Sequence, residues 1–148
     1  NWDDFVKFCV NKNWYGIENL SLIPGSVGAA PIQNIGAYGV EVKDVITKVS
    51  YIEIASGNKK SLTNSECNFG YRDSIFKDKL KGKGIITHVV YKLSKTPLNN
   101  TKYGAITDEL KCLNKEPSPQ SIAQLRAATC RRIHSAGSSK RRSWCGYH

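Results

Sequence analysis

The sequence predicts an α+β fold. Three features carry this expectation: an opening segment with helical spacing of apolar residues, later segments with the period-two alternation of strands, and glycine-rich or polar turns between them. At the start, Trp2, Phe5, Val6 and Cys9 recur on one helical face, and Gly16 is the expected stop. Ile17 to Gly39 (IENLSLIPGSVGAAPIQNIGAYG) is nearly uncharged and holds Gly25, Gly28, Gly36 and Gly39 with Pro24 and Pro31, so it reads as a tightly turned loop. Val45 to Ala55 alternates as a half-buried strand, with Val45, Val49 and Tyr51 expected on one side and Ile46, Ile52 and Ile54 on the other. Ser56-Gly57-Asn58 is a turn, and Lys59–Thr63 can return as a second strand. Cys67–Lys77 (CNFGYRDSIFK) is short and aromatic and surrounds Arg72. A Lys/Gly loop then leads into a strand over Ile85–Leu93. Asn99–Leu110 is a polar connection around Tyr103-Gly104, and Ser118-Pro119 is a helix opening, an N-cap followed by proline at the first helical position.

The chain has 148 residues, enough for one domain or part of a larger one. Its 40% apolar and 23% charged residues suit a folded core with a polar surface. No apolar run approaches the roughly 20 residues of a bilayer span. No charged segment followed by an apolar one opens the chain, so neither a membrane nor a secreted protein is expected. The sequence has no Met and begins in a structured segment, so it is expected to start inside a longer protein.

Charge is distributed unevenly. All twelve acidic residues lie at or before Glu116, whereas residues 117–148 hold six basic residues and no acidic one. Before residue 117 the cations are fifteen lysines and one arginine, Arg72; after it they are five arginines and one lysine. As a functional element the tail would be a nucleic-acid or anionic-surface arm, but it has no nucleic-acid-binding motif around it. It is expected instead to be a non-native terminus over residues 127–148, from a shifted frame or vector read-through. The five cysteines form no C-x-x-C pair, and His88, His134 and His148 stand apart from ligand-spaced clusters, so neither a metal site nor a disulfide framework is expected. Reduced thiols in a cytoplasmic protein are the expectation.

Two segments could carry chemistry. In Pro24–Gly39, close glycines let the backbone approach a ligand, and successive N–H groups can cradle phosphate. Ser26, Gln33 and Asn34 add neutral hydrogen-bonding groups. The spacing matches neither G-x-G-x-x-G nor a P-loop, and a loop that only packs is the alternative. In Tyr71-Arg72-Asp73-Ser74, the isolated arginine offers a planar fork for a carboxylate that lysine cannot copy. A structural ion pair to Asp73 or another acid is the alternative there.

LIPGSVGAAPIQNIGAYGVEV followed by CNFGYRDSIFK resembles the UDP-N-acetylenolpyruvoylglucosamine reductase (UDP-N-acetylmuramate dehydrogenase) family of flavoproteins, over roughly Asn1 to Arg126. The resemblance implies a vanillyl-alcohol-oxidase (PCMH)-type FAD-binding domain, of which residues 1–116 are mainly the second lobe, truncated at both ends. Residues 117–126 would start the link to a substrate domain. It further implies that backbone groups of Gly25, Ser26, Val27, Gly28, Ala29, Ile32 and Gly36 line FAD. Arg72 would hold the substrate carboxylate and stabilise the charge developing there, while Tyr38, Tyr71 and Tyr103 would lie near the substrate. The implied activity is reduction of UDP-N-acetylglucosamine enolpyruvate, a small UDP-sugar, to UDP-N-acetylmuramate with NADPH through FAD, for peptidoglycan precursor synthesis. The family's proton-donating serine and late glutamate have no match here, so an incomplete active site is expected. Two other readings are a basic nucleic-acid-binding module using the tail and a flavin-binding lobe without turnover.

Overall fold

A computed structural model describes residues 1–96 and Ser121; Tyr103, the link over 117–126 apart from Ser121, and the basic tail lie outside the described residues. Helix α1 spans Trp2–Asn11 and starts where the sequence supplies a cap. The Asn1 side chain accepts from the Asp3 N–H at 2.8 Å, and Asp3 pairs with Lys7 one turn later at 2.8 Å. Asp3 and Asp4 also place negative charge in the first turn, where the helix dipole favours it. One face buries Trp2, Val6, Cys9 and Val10. The helix ends well before Gly16. Lys12 closes it and Asn13 takes a left-handed φ of 54°, a conformation that asparagine tolerates, so the stop comes from Asn13 and not from the expected glycine.

Two antiparallel sheets follow. A short hairpin pairs β1 (Gly36–Ala37) with β2 (Val40–Glu41). A three-stranded sheet has the order β4-β3-β5, with β3 (Ile46–Glu53) in the centre, β4 (Lys59–Thr63) on one side and β5 (Gly84–Tyr91) on the other. The turn between β3 and β4 closes as expected: Gly57, at φ 69°, donates to the Glu53 carbonyl at 2.8 Å. The α+β class read from the sequence is therefore the observed one.

The facing of β3 differs from simple alternation. Ile46, Val49 and Tyr51 are all buried, although Ile46 was expected opposite the other two. Ile46 pairs with Tyr91 and Lys48 with Val90, so Thr47 is an extra residue on β3. That bulge resets the alternation and turns Ile46 to the same side as Val49. A second irregularity leaves Thr87 extra on β5, between the pairs Ser50–His88 and Tyr51–Ile86. The core lies between α1, the β1–β2 hairpin and the inner face of the sheet, and it includes Val6, Cys9, Ile17, Leu20, Val42 and Val49, all fully buried. Phe5 and Trp2 of α1 pack on Tyr91 of β5 with ring centroids 5.1 and 6.1 Å apart, which fixes the helix against the sheet.

Candidate functional site

The first residues of the chain hold the glycine-rich loop in place. The Trp2 N–H donates to the Gly25 carbonyl at 2.9 Å, the Trp2 indole to the Leu20 carbonyl at 2.8 Å, and the Asp3 carboxylate accepts from the Leu22 N–H at 2.9 Å. From below, the Tyr91 hydroxyl reaches the Val27 carbonyl at 3.4 Å. Burial pushes that phenol well above its ordinary range, so it stays protonated and a donor. Three of these contacts use carbonyls and the fourth uses the Leu22 N–H, so further N–H groups are left over. Among the described residues, the N–H groups of Gly25, Ser26, Val27 and Gly28 have no acceptor.

The glycines of this loop differ in what they require. Gly25 sits at φ 135°, a conformation open to glycine and strained for other residues. Gly28 has an ordinary φ, and a Cβ there would meet only Ile86, at 3.7 Å from its carbonyl oxygen, so the chain's own packing does not demand glycine. The two sites fit a cradle kept clear for an anionic ligand with phosphate oxygens. Further along, the Ala29 N–H donates to the Ser26 carbonyl at 3.0 Å and the Ile32 N–H to the Ala29 carbonyl at 3.1 Å, so both are engaged inside the loop. The Ser26 hydroxyl also accepts from Ala29, at 3.2 Å.

The second motif is a tight turn. Gly70 and Asp73 exchange hydrogen bonds of 3.0 and 3.3 Å, which leaves Tyr71 and Arg72 as its two tip residues. Arg72 has φ 54°, at the position where a turn with one positive φ takes glycine or asparagine. A side chain held in a strained tip is a recurrent feature of binding sites. Tyr71 is exposed, with its ring centroid 5.7 Å from the Arg72 guanidinium carbon.

Three side chains join the two motifs. Asn34 Nδ2 donates to the Gly70 carbonyl at 2.8 Å, Arg72 Nη2 to the Gly36 carbonyl at 2.6 Å, and Ser74 Oγ to the Ile32 carbonyl at 2.7 Å. Lys77 Nζ donates to the Arg72 carbonyl at 3.0 Å and steadies the turn from its far side. The alternative, an ion pair between Arg72 and Asp73, is not formed: Asp73 Oδ1 accepts from the Ser74 N–H at 3.0 Å, and no described carboxylate lies within pairing distance of the guanidinium. Arginine carries five N–H donors, and one of them is engaged here among the described residues.

The expected residues therefore fall in three groups. Gly25, Ser26, Val27 and Gly28 form a donor-rich segment; Gly36 and Arg72 touch each other; Tyr38 lies half-buried against the core at φ 50°. Tyr103 is outside the described residues. Sequence reasoning singled out Asn34 only as a possible ligand group and assigned nothing to Ser74 or Lys77. The signal for Asn34 was its type, since asparagine both accepts a left-handed φ and bridges backbone groups.

A family model described as FAD binding domain matches residues 1–62, which include α1, the glycine-rich loop and β3. The reductase named UDP-N-acetylenolpyruvoylglucosamine reductase from Flavobacterium johnsoniae is 49% identical over 124 residues, covering 82% of this chain and 37% of that protein. The protein of the same name from Amoebophilus asiaticus is 54% identical over 110 residues, covering 74% of this chain and 32% of its own. The chain matches a segment of the UDP-N-acetylenolpyruvoylglucosamine reductase family. The crystal structure of a UDP-N-acetylenolpyruvylglucosamine reductase from Thermus caldophilus superposes with a TM-score of 0.55 at 28% identity, over 76% of this chain and 40% of that one. The fold is thus that of the PCMH-type FAD-binding domain. The chain spans about a third of the length of the curated reductases it matches, 37% and 32% for the two named here.

Proposed function

We propose that residues 1–116 form part of an FAD-binding domain and that the chain contributes to a UDP-N-acetylenolpyruvoylglucosamine reductase. In this reading the N–H groups of Gly25 to Gly28 hold the FAD pyrophosphate. Ala29 and Ile32, whose N–H groups are engaged, contribute surface to the flavin, and so does the buried Gly36. Bound FAD supplies hydride to the enolpyruvyl double bond after reduction by NADPH. Arg72 binds the substrate carboxylate through its remaining donors and stabilises the negative charge that develops there. Tyr71 shields the guanidinium, and Tyr38 lines the same cleft. The setting is peptidoglycan precursor synthesis in the cytoplasm.

The observation that carries this reading is the pairing, among the described residues, of unpartnered donors at Gly25–Gly28 with an arginine free of carboxylates, on two motifs joined by three hydrogen bonds. Flavin fluorescence titration of a full-length reductase carrying this segment should show saturable FAD binding. A full-length reductase carrying this segment should oxidise NADPH only when the enolpyruvyl substrate is present. Absence of FAD binding, or DNA binding that weakens with salt, would overturn it in favour of the basic arm.

A further inference from the structure

We infer that Asn34 is a positioning residue that sets Arg72 against the donor-rich loop; this rests on the proposed reductase reading. Asn34 is fully buried and adopts a left-handed φ of 42°. From that position its side chain is used at both ends. Nδ2 donates to the Gly70 carbonyl at 2.8 Å, and Oδ1 accepts from the Lys43 N–H at 3.1 Å. One amide thereby ties the glycine-rich loop to the backbone just ahead of β3 and to the first residue of the Tyr71-Arg72 turn. The same Gly70 carbonyl accepts from the Asp73 N–H, the bond that closes this turn.

The consequence for Arg72 is geometric. The turn is short, so a shift of Gly70 moves the guanidinium almost rigidly. Arg72 is then held at a second point by the Gly36 carbonyl, on the loop that Asn34 itself belongs to. Asn34 and Gly36 thus grip the turn at its base and its tip from one segment. Because that segment also carries the donors of Gly25–Gly28, the distance between the substrate carboxylate and the cofactor cradle is set inside one rigid connection. A small misplacement of a charge-stabilising donor is enough to lower a reaction rate by an order of magnitude or more. Aspartate at this position would keep the acceptor for Lys43 and the size of the side chain but lose the donor to Gly70. Glycine would keep the left-handed backbone and lose both bonds.

The test uses Asn34→Asp and Asn34→Gly in two settings. In the 148-residue chain without flavin, amide hydrogen exchange across the Gly70–Lys77 segment should quicken by about 10-fold in Asn34→Asp, as expected for loss of one well-formed hydrogen bond, and by at least as much in Asn34→Gly, which loses both, while α1 is unchanged. In the full-length reductase carrying this segment, transfer to the enolpyruvyl substrate should slow by about 10-fold or more, with flavin reduction by NADPH within about 2-fold of the unsubstituted enzyme. Unchanged exchange in Gly70–Lys77, equal loosening of α1, or equal slowing of the two half-reactions overturns the inference and leaves Asn34 a general structural residue. If the unsubstituted enzyme neither binds FAD nor reduces the substrate while the exchange result holds, the reductase reading fails and the coupling of the two motifs stands.

Discussion

Arg72 and Gly36 meet at the tightest point of the site. Arg72 Nη2 donates to the Gly36 carbonyl at 2.6 Å, and a Cβ on Gly36 would stand 3.2 Å from Arg72 Nη1 and 2.9 Å from the Val40 carbonyl oxygen. The glycine is therefore required by its neighbours: one is the backbone of the paired strand β2, the other the guanidinium it orients.

Gly36→Ala should accordingly open the β1–β2 hairpin and displace Arg72. A loss of about 1–3 kcal/mol is the expected scale for overpacking a site whose neighbour is backbone. Urea unfolding of the chain measures it, and a melt indistinguishable from the unsubstituted protein would show that the hairpin can yield.

Replacing Arg72 by lysine keeps the charge and removes the fork. In the full-length reductase, Arg72→Lys should lower transfer to the enolpyruvyl substrate by about 10²-fold, the scale for losing one preorganised donor to a developing anion. Reduction of the flavin by NADPH should change far less, since no carboxylate is handled in that step. Stopped-flow kinetics separates the two half-reactions, and equal slowing of both would reassign Arg72 to the fold.

The glycine-rich loop allows packing and ligand roles to be separated. Gly28→Ala should leave stability within about 0.5 kcal/mol, because its Cβ makes only an ordinary contact, yet it should weaken FAD binding by filling the cradle. Gly25→Ala should destabilise the chain even without FAD, by about 1 kcal/mol or more, because φ 135° is strained for alanine. Paired thermal melts and flavin titrations read both effects. Unchanged FAD affinity in Gly28→Ala would sink the cradle assignment.

Burial pushes the Cys9 thiol up to about 11, and burial followed by the Glu66 charge does the same for Cys67. Their unfolded value is about 8.5. A raised pKa in the folded state means that the fold favours the protonated thiol. The stability these groups contribute is fully present below the unfolded value and is lost as pH rises through about 11. Urea midpoints should therefore fall between about pH 9 and 11. Cys9→Ser and Cys67→Ser together should flatten that decline, and both thiols should react with a thiol reagent only on unfolding.

Local chemistry made much of this chain legible from sequence. The apolar spacing of α1, the turn at Ser56-Gly57-Asn58, the return strand β4 and the two candidate motifs all follow from interactions within a few residues. What only the tertiary structure decided involves partners far apart in sequence. Ile46 faces inward because pairing with β5 leaves Thr47 as a bulge, and no periodicity within β3 can encode a neighbour's register. Arg72 looked like a salt-bridge candidate beside Asp73, yet Asp73 turns to its own backbone and the guanidinium crosses to Gly36. Asn34, one neutral residue among several, becomes the bridge to Gly70 and Lys43. A side chain's hydrogen-bond partner depends on which distant backbone groups remain unsatisfied after folding, and that is a property of the packed chain and not of any local stretch of sequence.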